Sequence, residues 1–252
     1  MTAFTPLDWL AVAWFLIAWL GFNVLVELSP LKHRTLSMRM ETYRYRWMQE
    51  MAARQVRIMD TAILTGLQQG TAFFASTALL AIGGAFTLLD AADRIVEIAG
   101  DLSVPVEANR VLWEVKVLGL MLIFAYAFFK FSWAYRLFNY ASIVMGAVPD
   151  SVTGDPEELA RTAQKAGRLN ALAGRHFNRG QRAFFFSIGF MGWFAGPHAL
   201  AVTTLLVLIV LLRRQFASNA REAIMISEQA PPAAIASMSG EKTETGSANP
   251  FT

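Results

Sequence analysis

Cysteine is absent from the 252 residues. That excludes disulfides, thiolate zinc sites, iron–sulfur clusters and a cysteine nucleophile. Histidine is nearly absent: His33, His176 and His198 are too few for a histidine-rich metal or haem site, and no cofactor is expected. Charge is scarce as well, at 16% of residues against about a quarter in ordinary soluble domains. No phosphate-binding glycine loop, His-Glu-x-x-His or Gly-x-Ser-x-Gly elbow occurs, so the expectation of an enzyme is lowered and no catalytic or metal-binding residue is assigned. No internal repeat is evident either, which weighs against transporters built from inverted repeats.

The missing charge is concentrated in long apolar blocks, as membrane spans of about 20 residues require. The first runs from Leu7 to about Val26 and contains Trp9, Trp14 and Trp19. No Lys or Arg precedes it and no small-residue cleavage site follows its core, so it reads as a retained span rather than a signal peptide. The second covers Thr61–Leu89 and the third Val111–Phe131, edged by Glu114, Lys116 and Lys130, whose long side chains can snorkel. The fourth, Ala183–Leu212, would reach about 45 Å as one helix. Two crossings of about 15 residues each would be too short, so one long helix kinked at Gly196-Pro197 is expected, with a re-entrant hairpin as the alternative. The expected fold is therefore all-α: a polytopic membrane bundle of about four spans forming one domain over residues 1–226, followed by a disordered Ala/Pro/Ser/Gly/Thr tail at 227–252.

Basic residues set the orientation. Lys32, Arg34, Arg39, Arg44, Arg46, Arg54 and Arg57 precede the second block, and Arg161, Lys165, Arg168, Arg175, Arg179 and Arg182 precede the fourth. The segment from Asp90 to Arg110 is acidic. Both basic loops are thus expected in the cytoplasm and the N-terminus outside. Four crossings would put the C-terminus outside too, in conflict with Arg213, Arg214 and Arg221 after the last block. Within the basic loops, Met40, Tyr43, Trp47 and Met51 recur at helical spacing among arginines, the pattern of an amphipathic helix in the headgroup region. Asp155-Pro156-Glu157-Glu158 reads as a helix start.

Several residues are candidates for contacts beyond packing. Arg175, Arg179 and Arg182 fall at i, i+4 and i+7, aligning three cations on one helical side, with anionic lipid as the expected partner. Arg136 shares a helical face with Ser132, Asn139 and Tyr140 and suits a lipid phosphate or carboxylate, or water at an interfacial helix end. Gly66 and Gly70, then Ser76 and Thr77 within further small-residue pairs, predict close helix packing, inside the chain or in a dimer. Gln68 and Gln69 are expected at an interface. At the kink, Gly196 and Pro197 loosen the backbone, and His198 is expected to hydrogen-bond it, a proton relay being the alternative.

Three stretches together resemble the domain-of-unknown-function 599 family of bacterial and plant membrane proteins. They are Arg44-Tyr45-Arg46-Trp47-Met48 with Asp60-Thr61-Ala62 and Ala75-Ser76-Thr77-Ala78, then Arg136 with Asn139-Tyr140-Ala141-Ser142, then Arg182-Ala183-Phe184 with Phe186-Ser187 and Trp193-Phe194-Ala195-Gly196-Pro197. An asparagine-bearing element of that family appears here as Gln68-Gln69-Gly70, so a role for that asparagine does not carry over. The resemblance implies an integral membrane protein without an assigned activity and supplies no catalytic residues.

The functional expectation is a scaffold or accessory protein of the bacterial inner (plasma) membrane, binding anionic lipid and a protein partner or second copy of itself. A small oligomeric transporter or channel is the alternative, and a lipid-handling enzyme comes third. Nucleic acid is not expected as a partner, because the net charge of +3 comes from basic residues beside apolar blocks, where lipid headgroups are nearer.

Overall fold

A computed structural model describes residues 4–90 and 110–226. The tail at 227–252 and most of the acidic segment between Asp90 and Arg110 lie outside the described residues. Those described are helical nearly throughout: α1 Pro6–Glu27, α2 Leu36–Ala53, α3 Ile58–Asp90, α4 Arg110–Gly146, α5 Pro156–Met191, α6 Pro197–Phe216 and α7 Asn219–Ile226, with short 3-10 turns at Pro30–Arg34 and Gly192–Ala195. Four segments are long and apolar enough to cross a membrane: Pro6–Glu27, Ile58–Leu89, Arg110–Gly146 and Pro197–Ile224.

Local chemistry sets the helix ends. Thr5 caps α1 by accepting from the Asp8 amide while Asp8 reaches back to the Thr5 amide, with Pro6 in the first turn. Asp155 caps α5 by accepting from Glu157 and Glu158, as its Asp-Pro-Glu-Glu start predicts. That helix continues well past Arg175, uninterrupted to Met191. There the structure departs from the single kinked helix expected for 183–212. Gly196 has φ 117°, a conformation that favours glycine, and Pro197 opens a new helix. The Thr203 hydroxyl donates to the Gly189 carbonyl at 2.6 Å, so α6 runs back along α5 as a hairpin. Apolar length misled the reading: the α5 arm of the hairpin begins before the apolar block and carries arginines.

Two cores result. The first gathers Phe15 and Phe22 of α1, Ile123 and Phe131 of α4, Phe186 and Phe190 of α5, and Leu200 and Leu211 of α6. The second gathers Met48 and Met51 of α2, Leu64 of α3, Phe138 and Met145 of α4, and Ala163, Ala166 and Ala173 of α5. Helices α3, α4 and α5 have 33, 37 and 36 residues, so each extends to about 50–55 Å. That overruns about 30 Å of hydrocarbon and lets the long helices serve both cores. Helix α2 therefore packs its Met48 and Met51 against protein, although Met40 and Tyr43 are exposed as the amphipathic reading expects.

Close approach within the bundle depends on α5 glycines. A Cβ at Gly167 would sit 3.0 Å from Tyr45, at Gly174 2.8 Å from Arg44 Nε, and at Gly180 2.6 Å from the Phe131 ring. Gly66 and Gly70, by contrast, have open space around them, and Ser76 is exposed while Thr77 donates to its own helix at Phe73. Among the described residues, Gly66, Gly70 and Ser76 do not pack α3 against another helix, whereas Ala78 and Ala85 of the same helix are buried. The nearby Gln68 does join two helices, donating to Asn139 of α4 at 2.8 Å.

Candidate functional site

The boundary between the two cores is a belt of charge. Helix α1 ends on Glu27, the first acid after its apolar stretch. From the neighbouring helix, Arg179 Nε donates to both Glu27 carboxylate oxygens at 2.9 Å, and Arg182 Nη2 donates to the same carboxylate. One carboxylate is thus shared by two guanidinium groups. Arg182 is the more enclosed, its side chain 5% exposed, and among the described residues its Nε has no hydrogen-bond partner.

After α1, Ser29 and Thr35 cap the 3-10 turn and α2, which redirect the chain across α5. This brings Glu41 and Arg44, three residues apart on α2, against α5. Arg175 grips Glu41 with its Nε at 2.8 Å and its Nη2, a bidentate pair. That hydrogen bonding pushes the Arg175 guanidinium up from its ordinary value. Arg44 donates to the neutral Asn170 side chain and lies 5.7 Å from the Phe138 ring centroid. Burial pushes Arg44 down, with Glu41 acting in the opposite direction.

From the other side comes the end of α6. Gln215 and Ser37 are 3.0 Å apart in a hydrogen bond, and the Arg214 guanidinium sits 5.7 Å over the Phe185 ring. The four helices enclose a cleft of about 400 Å³, open to solvent. Lys32, Arg44, Arg175, Arg179, Arg182 and Arg214 line it with Glu27, Glu41, Asn178 and Gln181, and Val26, Leu28, Phe177, Phe185 and Leu211 form its apolar wall. A second groove, formed by Tyr45, Gln164, Lys165, Arg168 and Leu172, adjoins it through Arg175.

The aligned arginines of α5 are therefore brought together, but each already holds a carboxylate. Beside the lipid or phosphate contact expected of Arg175, Arg179 and Arg182, each therefore also pairs with Glu27 or Glu41 across helices. The alignment meant ion pairing across helices in the first instance. Arg136 lies elsewhere, exposed on α4, its Nε donating to the Tyr140 hydroxyl at 2.6 Å. His198 is exposed in the first turn of α6, and among the described residues its ring has no hydrogen-bond partner, so it does not tie down the turn. Glu27, Glu41 and Asn170 were missed from sequence, and Arg44 was read there only as a basic-loop and family-motif residue. The only local signal for them was an acid closing the first apolar block and a Glu-x-x-Arg pair in α2.

At the opposite end of the first core lies a second polar cluster. Asp8, fully buried, accepts from the Trp193 indole at 2.8 Å and from the Thr5 hydroxyl at 2.7 Å. Lys116, also buried, lies 5.6 Å from the Trp193 ring centroid. These contacts fasten the hairpin turn to the start of α1.

Apolar spans, an interhelical charge belt and a basic end together define a multi-pass helical membrane protein. The chain belongs to the family described as "Protein of unknown function, DUF599", which matches residues 10–220. Comparison with curated proteins and with solved structures gave no match.

Proposed function

We propose that the protein is an accessory component of a bacterial inner membrane whose cytoplasmic face engages anionic lipid. One observation supports this reading above others: its cations gather at one end of the bundle. Lys32 and Arg214 line the cleft, and Lys165 and Arg168 line the adjoining groove. Basic residues are retained on the cytoplasmic side of bacterial membranes, and each adds roughly 1 kcal/mol of attraction to an anionic surface. Hairpin geometry favours the same orientation. Because α6 returns beside α1, Arg213 and Arg214 finish at the level of Ser37, and the conflict posed by a basic C-terminal end disappears. The chain then crosses five times, with the N-terminus outside and the C-terminus inside.

Reporter fusions after Val148 and after Ser227 test the orientation, and both are expected to report a cytoplasmic location. An external signal at Ser227 would overturn the five-crossing arrangement. For lipid engagement, binding of the purified protein to anionic nanodiscs is expected to fall with added salt, as exposed charges are screened beyond about 8–10 Å.

A further inference from the structure

Among the described residues, the lining of the cleft carries more positive than negative charge. Among the described residues that line it, Arg44, Arg175, Arg179 and Arg182 face only Glu27 and Glu41 as acids. Arg44 is answered by a neutral amide, and Arg182 shares its carboxylate with Arg179. Lys32 and Arg214, the latter exposed, add further charge to the lining. Guanidinium groups stay ionised under all physiological conditions, so an enclosed excess of this kind calls for an anion from outside.

We propose that the cleft binds the phosphomonoester headgroup of a single membrane lipid, an inference that rests on the reading of this end as a lipid-engaging cytoplasmic face. Charge selects the headgroup. A phosphomonoester carries about −1.5 to −2 at neutral pH, whereas a phosphodiester carries one negative charge, and only the former balances the interior excess. Geometry agrees, since guanidinium forks suit the several oxygens of a terminal phosphate. The wall selects a lipid over a soluble phosphate. Phe185 and Leu211 line the cleft, and Val24 on α1 with Ile209 and Val210 on α6 lie exposed beyond it. An acyl chain leaving the headgroup has an apolar surface to follow into the bilayer. A volume of about 400 Å³ is within the range of about 300–1,000 Å³ usual for small-molecule sites.

The test uses the full chain in nanodiscs of phosphatidylcholine doped with either phosphatidic acid or phosphatidylglycerol, read by native mass spectrometry and by titration. Phosphatidic acid is expected to bind saturably at one per chain and to persist at salt concentrations that remove phosphatidylglycerol. Exchanging Lys32→Gln and Arg214→Gln, both in the lining and outside the ion pairs with Glu27 and Glu41, is expected to weaken that binding roughly fivefold each, with only a small change in melting temperature where Arg214 leaves the Phe185 ring. Equal, multiple and salt-labile binding of both lipids would overturn the single-site proposal and leave the lipid-engaging face standing. Binding of neither lipid would overturn both. An undiminished phosphatidic acid affinity in the double variant would remove the cleft as the site. In a parallel arm, glycerol 3-phosphate is added in place of lipid. Binding as tight as that of phosphatidic acid would overturn the lipid in favour of a soluble phosphomonoester.

Discussion

Glu27 is the residue on which the interhelical charge balance turns. Its carboxylate stands between Arg179 and Arg182, and its side chain is 20% exposed. Neutralising it removes the counter-charge from an arginine that is itself almost wholly enclosed. Stranding one partner of a buried pair costs about 3–5 kcal/mol. The contact with water at Glu27 reduces this, so Glu27→Gln is expected to destabilise by about 2–3 kcal/mol. Pairing it with Arg182→Gln is expected to recover part of the loss, measured by thermal unfolding in detergent. His176 offers a second check at this scale. Burial first, and then Lys130 and Arg179, push its imidazole below the ordinary value of 6.5, and among the described residues its Nδ1 has no hydrogen-bond partner. The folded state thus resists the proton that the unfolded chain accepts. Stability is at its full value above pH 6.5 and declines as pH falls below it. Replacing His176 by Gln is expected to flatten the melting temperature between about pH 7 and pH 5.

Helix α5 is the element against which the others are arranged, and its glycines determine how closely. The ring of Phe131, fully buried, lies where a Gly180 Cβ would fall. Overpacking there is expected to cost about 1–3 kcal/mol for Gly180→Ala. Gly70→Leu on α3 meets open space and is expected to melt within about 0.5 kcal/mol of the parent. Reversal of that order would mean that the α3 face is covered by another chain. The contrast also shows what the sequence could convey. Gly66 and Gly70 advertise packing through their spacing inside an apolar block, yet that spacing is satisfied equally by a face turned outward. Gly180 carries the close contact but sits among arginines, where no membrane motif draws attention to it. The blocks behind α1, α3 and α4 were legible because length and hydropathy are local properties. The hairpin was legible only as the alternative at Gly196-Pro197, because the charge on its first arm is compensated by Glu27, 152 residues away along the chain, and long-range compensation leaves no local trace. For the same reason, three aligned cations were legible as a face while their carboxylate partners were not.

At the scale of the whole molecule, the two cores divide the work. One is faced by apolar side chains such as Leu10, Ile17 and Leu20 that look outward. The other is a bundle built on Met48, Met51 and Phe138, where removing each such side chain from water contributes about 1.5–3 kcal/mol. The belt of Glu27, Arg179 and Arg182 fastens the first to the second, while the Asp8–Trp193 bond fastens the hairpin turn at the far end. From Asp8 to Glu27, α1 rises about 28 Å, and ionic or polar contacts hold both ends of that rise to the same neighbouring hairpin. A helix secured in this way cannot tilt independently to suit a thicker or thinner bilayer, so hydrophobic mismatch must be absorbed by the surrounding lipid at a cost of fractions of a kcal/mol per ångström. The stability of the protein is thereby expected to depend on bilayer thickness. Its melting temperature is expected to peak in lipids with a hydrocarbon core of about 28 Å and to fall on either side in an acyl-length series, and Glu27→Gln, by freeing one end of α1, is expected to broaden that peak.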